Sequence, residues 1–201
     1  MKLSSVVAAC GLVVLAATAS AQENSKMPGA GGVELYDIIA RYAKRANKQI
    51  VIDPRVRAQV PLAGIDPGDL TYDQLLAVLS VHQFAMVDTG GMLAVVPDAN
   101  ARQIPSPIYT DANFKAPEYA IVNLLVTPRK VCAGMLVPVL RPLMPQAAHL
   151  AAEPQTNTLI INDHAVNARR IAALVDQLDR LGNTTIKDCQ ASYVAASKPK
   201  E

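Results

Sequence analysis

The sequence predicts an α+β protein made of two small helix-on-sheet domains in tandem. Apolar residues recur at helical spacing in several segments, and short runs rich in β-branched residues lie between those segments. A stretch with four prolines, residues 97–117, separates the two halves of this pattern. Because 201 residues suffice for two small cores, we predict a first domain at 33–97, a linker at 98–117 and a second domain at 118–181.

The first predicted domain opens with an amphipathic helix that starts at Val33 and ends at Asn47. Its apolar residues fall at positions i, i+3, i+4, i+7 and i+8, which is the spacing of one helix face. Those residues are Leu35, Ile38, Ile39, Tyr42 and Ala43. Basic residues occupy the other side, and such a face is either solvated or docks an acidic partner.

Strand and turn signals fill the rest of the first domain. The runs Gln49–Asp53 and 60–63 predict strands. Thr71 and Gln74 have the spacing of a capping box, which predicts a helix that begins after Thr71. Two short apolar runs flank glycines at 90 and 91, and this pattern predicts a hairpin because glycine tolerates positive φ. The inward residues of the second helix are predicted to be Tyr72, Leu75, Leu76 and Leu79.

The second predicted domain has the order strand, helix, strand, strand, helix, which is the KH-like order βαββα. Its strands are predicted at Tyr119–Leu125, His149–Ala152 and Thr158–Asn162. A helix over 131–144 is expected to be irregular, because two prolines inside it lack amide protons.

Asp163 is predicted to cap the last helix of this domain, and Gly182 to end it. The polar residues 182–201 then form a loose tail. The inward face of the last helix is predicted to be Ile171, Leu174, Val175, Leu178 and Leu181.

The first 21 residues have the layout of a secretory signal peptide. Lys2 is the only charged side chain before Glu23, an apolar run follows it, and small residues precede a cleavage point after Ala21. We therefore predict an exported protein with a flexible lead-in at 22–32. A lipoprotein box ending at Cys10 is a weaker alternative, because cleavage there would leave only a stub of the apolar run.

Two cysteines, Cys132 and Cys189, remain after removal of the signal peptide. In an oxidising compartment two thiols are candidates for a disulfide. The alternative is two unpaired thiols, one buried and one on the tail, and sequence spacing does not decide between these states.

Composition and motifs argue against several classes of function. A net charge of +2 gives no broad positive field, so nucleic-acid binding is not expected. The three histidines, His82, His149 and His164, lack the spacing of metal ligands on a helix, and no serine lies in a nucleophile elbow. We predict no catalytic residue, no cofactor, no metal site and therefore no enzyme.

Four segments carry a resemblance to a known family. They are 50–58 (IVIDPRVRA), 70–84 (LTYDQLLAVLSVHQF), 85–97 (AMVDTGGMLAVVP) and 136–180, which includes LRPLMP and NTLIIND before a helix ending in LD. In this order they resemble the periplasmic N-terminal part of secretins of the type II secretion (GspD-like) kind. The first domain resembles the secretin leading domain, which is related to the signalling domain of TonB-dependent receptors. The second resembles the repeated NolW-like secretin domain.

The sequence also departs from the family pattern. The family places a strand just before the first helix, whereas residues 29–32 are Gly-Ala-Gly-Gly, which form strands poorly. Only 22 residues follow Asp179, so we expect the chain itself to lack the outer-membrane channel of secretins.

The resemblance implies a periplasmic interaction module, peripheral to the outer membrane, that assists protein secretion. Its implied partners are a secretin ring or an inner-membrane platform protein, with packing of copies in a ring. As the contact edge we predict Val60, Leu62 and Ala63, because exposed strand edges recruit partner strands. A ligand-sensing or signalling module is the alternative, which the second domain disfavours. An exported enzyme or wall-binding protein is a third reading, disfavoured by the absence of Trp.

Overall fold

A computed structural model describes residues 32–197 of the chain. The predicted signal peptide, the cleavage point after Ala21, nearly all of the lead-in and the last four residues of the tail lie outside this range. Helices and small sheets alternate along the described residues, which confirms the predicted α+β class. Between residues 32 and 197, no helix combines the length and the apolar character that crossing a membrane requires.

The first half of the described chain forms two sheets and two long helices. The elements are β1 (Val33–Glu34), α1 (Leu35–Ala46), β2 (Ile50–Ile52), β3 (Gln59–Val60), α2 (Tyr72–Val81), β4 (Phe84–Asp88) and β5 (Leu93–Pro97). β1 pairs antiparallel with β3. In the other sheet β5 is central, parallel to β2 and antiparallel to β4. One apolar cluster joins residues from both helices and both sheets, so this half has a core of its own.

The first helix begins two residues later than predicted. Val33 and Glu34 are extended because their backbone pairs with β3, and this pairing overrides the local helical pattern. The strand that the family places before this helix is therefore present at these two residues. Asn47 ends the helix in the left-handed region, at φ 50°, and its N–H donates to the carbonyl of Ala43. Four of the predicted inward residues are buried, namely Leu35, Ile38, Ile39 and Tyr42.

The second helix of this half begins at its predicted cap. The Thr71 hydroxyl accepts from the Gln74 backbone N–H at 3.2 Å, and the Gln74 side-chain oxygen accepts from the Thr71 N–H at 2.8 Å. Both bonds of the capping box are present, so two N–H groups at the start of α2 are satisfied. At the hairpin between β4 and β5, Gly90 and Gly91 adopt φ of 85° and 145°, as the turn requires.

The predicted linker at 98–117 contains structure that the sequence pattern did not indicate. A short helix α3 (Asp98–Ala101) follows β5 directly, and Ala101 is fully buried. Strand β6 (Ile108–Tyr109) then pairs with the second sheet. Because this pairing depends on residues farther along the chain, the proline-rich composition gave no sign of it.

The second half forms one four-stranded sheet with helices. Its elements are β7 (Ile121–Val126), α4 (Ala133–Leu140), a 3-10 turn (Arg141–Leu143), β8 (His149–Glu153), β9 (Thr158–His164), α5 (Ala165–Leu181) and α6 (Ile186–Ser197). The sheet order is β6-β7-β9-β8, with β6 parallel to β7 and the other pairs antiparallel. The predicted βαββα elements are present, but β6 precedes them and α6 follows them.

Helix α4 is shorter than the predicted span 131–144. It continues through Pro138, whose ring lies on the exposed side, and becomes a 3-10 turn at Arg141. Pro142 explains the change, because it has no N–H to donate to the carbonyl four residues earlier.

Two predictions for the last helix of the second domain are wrong. His164, not Asp163, precedes the first helical residue, and Asp163 lies in β9. Leu174 and Leu181 are 36% and 86% exposed, so they are not inward. Small residues allow α5 to lie close to the sheet, and they shift the buried face. That face consists of Ala165, Ala168, Ile171, Ala172 and Val175.

The predicted loose tail is helical over most of its length. α6 begins at Ile186, and a disulfide connects it to the second domain through Cys189 and Cys132. The Cα atoms of these cysteines are 5.3 Å apart. Gly182 allows the chain to pass close to the backbone of Lys130, because a Cβ there would lie 2.3 Å from the Lys130 carbonyl oxygen.

Candidate functional site

The predicted contact residues lie at and just after β3, but they do not form one exposed surface. The Val60 side chain is buried in the first core, and its backbone pairs with Val33. Leu62 is half-buried and packs against the same core. Of the three, only Ala63 is exposed. What this region offers a partner is therefore backbone and neighbouring side chains rather than the side chains predicted.

The edge is formed by two very short strands that approach each other closely. A Cβ on Gly32 would lie only 3.1 Å from the Val60 nitrogen, so a side chain there would push the strands apart. The Leu35 N–H donates to the Ala58 carbonyl at 2.9 Å and continues the contact into α1. Within residues 32–197, β1 and β3 each have one strand neighbour, so each keeps one open edge.

A groove of about 480 Å³ lies beside this sheet. Its walls come from β1, the first turn of α1, the end of β2 and the loop after it. Tyr36, 59% exposed, provides an aromatic surface, and acidic side chains outnumber basic ones. The charged residues that line it are Glu34, Asp37, Asp53 and Arg57.

One of these acids is held in its charged form by a neighbour. The Arg55 guanidinium donates to both Asp53 carboxylate oxygens, at 2.9 and 2.8 Å, and the Arg55 backbone N–H donates at 2.9 Å. The side-chain hydrogen bonds from Arg55, followed by the backbone bond, lower the pKa of Asp53 to about 2. Asp53 therefore stays ionised down to about pH 2, and the adjacent Arg55 guanidinium balances its charge.

The basic side of α1 divides into two parts. Arg45 donates to the carbonyls of Gly68 and Leu70 and lies 5.6 Å from the centre of the Tyr42 ring. It therefore fastens the loop before α2. Arg41 and Lys44 are exposed and keep the face that the sequence predicted.

The second domain exposes an apolar stripe along α4 and the turn after it. Met135, Val139 and Leu143 lie at positions i, i+4 and i+8 and are 71%, 59% and 51% exposed. Met135 and Val139 share one face of α4, because residues four apart on an α-helix lie on the same face, and Leu143 is exposed in the 3-10 turn that follows. The sequence pattern predicted no contact surface at these residues.

Two polar side chains hold the loop in front of α4. The buried amide of Asn157 donates to the carbonyls of Pro128 and Val131, and its oxygen accepts from the Ala133 N–H at 2.8 Å. One carboxylate oxygen of Asp179 accepts from the backbone N–H groups of residues 129–131, at 2.6 to 3.1 Å. Asn157 is the first residue of the NTLIIND motif, and Asp179 is the Asp of the LD motif. Both motif positions therefore have structural roles.

The described residues contain no group of three or more potential metal-binding side chains. His149 is exposed on β8, His82 follows α2, and His164 is buried at the end of β9. The structure brings none of the three histidines together in a ligand set.

Comparisons with known proteins agree with this architecture. The family model of the GspD-like N0 domain matches residues 31–95. The secretin XcpQ of Pseudomonas aeruginosa is 32% identical over 154 residues, which are 75% of this chain and 22% of XcpQ. The secretin PulD of Klebsiella pneumoniae is 28% identical over 174 residues, 83% of this chain and 26% of PulD.

A solved structure also matches the fold of this chain. The Klebsiella pneumoniae type II secretion system outer membrane complex, described as containing PulD, PulS and the PulC HR domain, matches with a TM-score of 0.63 and 28% identity. The match covers 76% of this chain and 26% of that chain. The protein spans about a quarter of the length of the curated relatives it matches. Residues 31–95 match the GspD-like N0 domain, and the chain is similar to the N-terminal domains of secretins over about three quarters of its length.

Proposed function

We propose that the protein is a non-enzymatic periplasmic interaction module that assists type II protein secretion. In this role the N0 domain binds a component of the secretion apparatus, either a secretin or an inner-membrane platform protein. The observation that carries the proposal is the open β1–β3 edge beside an acidic, aromatic groove in the N0 domain. An open edge offers main-chain hydrogen bonds to an added strand, and the groove offers selectivity for its side chains.

The relatives support this choice of partner. The matched Klebsiella complex contains PulD together with the PulC HR domain, which shows that a relative of this chain assembles with a second secretion protein. The ring packing that the resemblance implies would use the second domain, and the apolar stripe of Met135, Val139 and Leu143 is available for it. The predicted edge at Val60, Leu62 and Ala63 stays part of the proposal through its backbone and Ala63.

Purified partner domains provide the test. The protein is titrated with the periplasmic domain of the platform protein from the same organism, and separately with the N-terminal domains of that organism's secretin, and the heat of binding is measured. We expect Tyr36→Ala to weaken binding about tenfold, because an exposed aromatic in a groove is a typical hot spot. Ala63→Arg should weaken it as well.

Val81→Ala is the matched control, because Val81 is 78% exposed and does not line the groove. It should bind like the unaltered protein. Leu62→Pro is a poorer probe, since Leu62 packs against the core and its replacement would disturb the fold. Failure of both partner domains to bind would reject the proposed function. Equal binding by the Tyr36, Ala63 and Val81 variants would reject the proposed surface.

A further inference from the structure

The N0 domain and the second domain meet at a small junction that is partly apolar and partly polar. Its apolar part is a cluster of Ala85, Val87, Ala101 and Ile121, contributed by β4, α3 and β7. Tyr119, just before β7, packs against the core of the N0 domain. Because the junction is small and rich in alanine, its polar contacts contribute a large share of the free energy that holds the two domains together.

The polar part is centred on His164, whose side chain is only 8% exposed. Its Nδ1 lies 2.8 Å from the Tyr119 carbonyl oxygen. Its Nε2 lies 3.5 Å from Asp98 Oδ2 and 3.4 Å from Ser80 Oγ. Ser80 belongs to α2 and Asp98 to α3, so this one nitrogen faces two groups that come from the N0 side.

The hydrogen-bond partners make the contact sensitive to protonation. A carbonyl oxygen can only accept, so Nδ1 carries a proton in either state of the ring. In the neutral ring Nε2 is then an acceptor: the Ser80 hydroxyl can donate to it, but its lone pair also faces the Asp98 carboxylate. In the charged ring Nε2 becomes a donor, and the imidazolium forms an ion pair with the Asp98 carboxylate across 3.5 Å. Protonation therefore turns an unfavourable contact across the junction into a favourable one.

A second carboxylate acts in the same direction, and one cation opposes it. Asp163, which precedes His164 on β9, accepts the His164 backbone N–H at 2.7 Å and adds a second negative charge. Arg102, one helical turn beyond Asp98, lines a cavity of about 420 Å³ with it and is the cation on this side. Burial lowers the pKa of His164, but the bonds to Asp98 and Tyr119 and the two carboxylates outweigh it, so the pKa is raised.

We propose that His164 is a pH-dependent latch between the N0 domain and the second domain, closed when the imidazole is protonated and released when it is neutral. The latch controls how freely the two domains reorient, independently of which partner the N0 domain binds. Its chemistry requires only the imidazole, the Asp98 carboxylate and the Tyr119 carbonyl.

The direction of the pH effect follows from the contacts. The latched state binds the proton more tightly than the open state, so its His164 pKa is the higher of the two. The stabilisation is fully present below the ordinary histidine pKa of about 6.5 and is lost as pH rises through the raised value. Domain mobility should therefore increase as the pH rises above the ordinary histidine pKa.

Nuclear magnetic resonance relaxation of the chain from residue 22 to residue 201 tests the latch. At about pH 5.5 both domains should tumble with one rotational correlation time, and at about pH 8.5 each should show a shorter correlation time of its own. The imidazole resonances of His164 should titrate at the same midpoint as the change in tumbling. Unchanged tumbling across the titration of His164 would overturn the proposal.

Three variants sharpen the test. His164→Gln, which keeps a polar group but no titration, should show the same tumbling at both pH values. Asp98→Asn should move the midpoint to lower pH, because the charge that favours the imidazolium is gone. His149→Gln removes an exposed histidine on β8 and should behave like the unaltered protein. A pH response that persists in His164→Gln, or that disappears in His149→Gln, would also overturn the proposal.

Discussion

The two domains share a size and a helix-on-sheet plan, but they are held together differently. The N0 domain divides its strands between two sheets, one of which consists of two residues on each strand. The second domain gathers its strands into one sheet, in which β7 and β9 pair over six residues. The N0 domain therefore offers a larger share of strand edges for its size, and the second domain a more continuous ladder.

The disulfide and the side-chain hydrogen bonds that stabilise the chain also differ between the two domains. The disulfide, the three hydrogen bonds of Asn157 and the three that Asp179 accepts all lie in the second domain. In the N0 domain the comparable contact is made by Arg45, an exposed residue whose side chain donates to two carbonyls of the loop before α2. A domain that recruits a strand benefits from open edges, whereas one that packs beside copies of itself benefits from a fixed shape. The contrast supports a binding role for the first and a scaffolding role for the second.

Removing the disulfide should produce the largest effect on this contrast. The Cys132–Cys189 bridge closes a loop over a sequence separation of 57. Its loss should lower the free energy of unfolding by about 4 kcal/mol at most, because the unfolded chain regains freedom. Urea denaturation of Cys132→Ser/Cys189→Ser, followed by circular dichroism, measures the change. Denaturation of the unaltered protein after reduction should agree with it. Stability equal to that of the oxidised protein would show that the bridge contributes nothing to the second domain.

Replacing Asn157 should have the next largest effect. Asn157→Ala leaves the Ala133 N–H and the carbonyls of Pro128 and Val131 without their partner in a buried site. We expect a loss of about 3 kcal/mol, because buried polar groups that lose their hydrogen bonds are costly. Gln155→Ala, at an exposed position in the same turn, is the control and should change stability little. A similar loss in both variants would mean that the turn, and not the Asn157 amide, is responsible.

The sequence predicted the parts of the fold that depend on near neighbours. The apolar face of α1 and the capping box of α2 each involve residues within about two helical turns, so periodicity and spacing reveal them. β6 and α6 depend on contacts across the chain. β6 forms because it pairs with β7, and Cys189 connects α6 to the second domain through the disulfide. The composition of these two segments suggests a linker and a tail, so it does not reveal either contact.

The same distinction between near-neighbour and long-range contacts applies to the candidate site. The sequence located a strand near residue 60, but the inward direction of Val60 depends on how β3 lies against the core. Tyr36 and Asp53 are 17 positions apart, and only the fold brings them into one groove. Asp163 was predicted as a cap because it precedes a helix and belongs to the favoured residue types. In the folded chain it continues β9, and no side-chain cap closes α5.

Removing the cap of α2 should have the smallest effect of the three changes and the most local one. Thr71→Ala deletes the acceptor of the Gln74 N–H, and the loss should be about 1 kcal/mol, because Gln74 retains its bond to the Thr71 backbone. Thr71→Ser keeps the hydroxyl and should be nearly neutral. Hydrogen exchange distinguishes the domains: faster exchange should be confined to the N0 domain, since the fastenings of the second domain do not involve α2. If exchange rises equally in β7 and β9, the two domains unfold as one unit, and the contrast between an open domain and a fastened one does not extend to their stabilities.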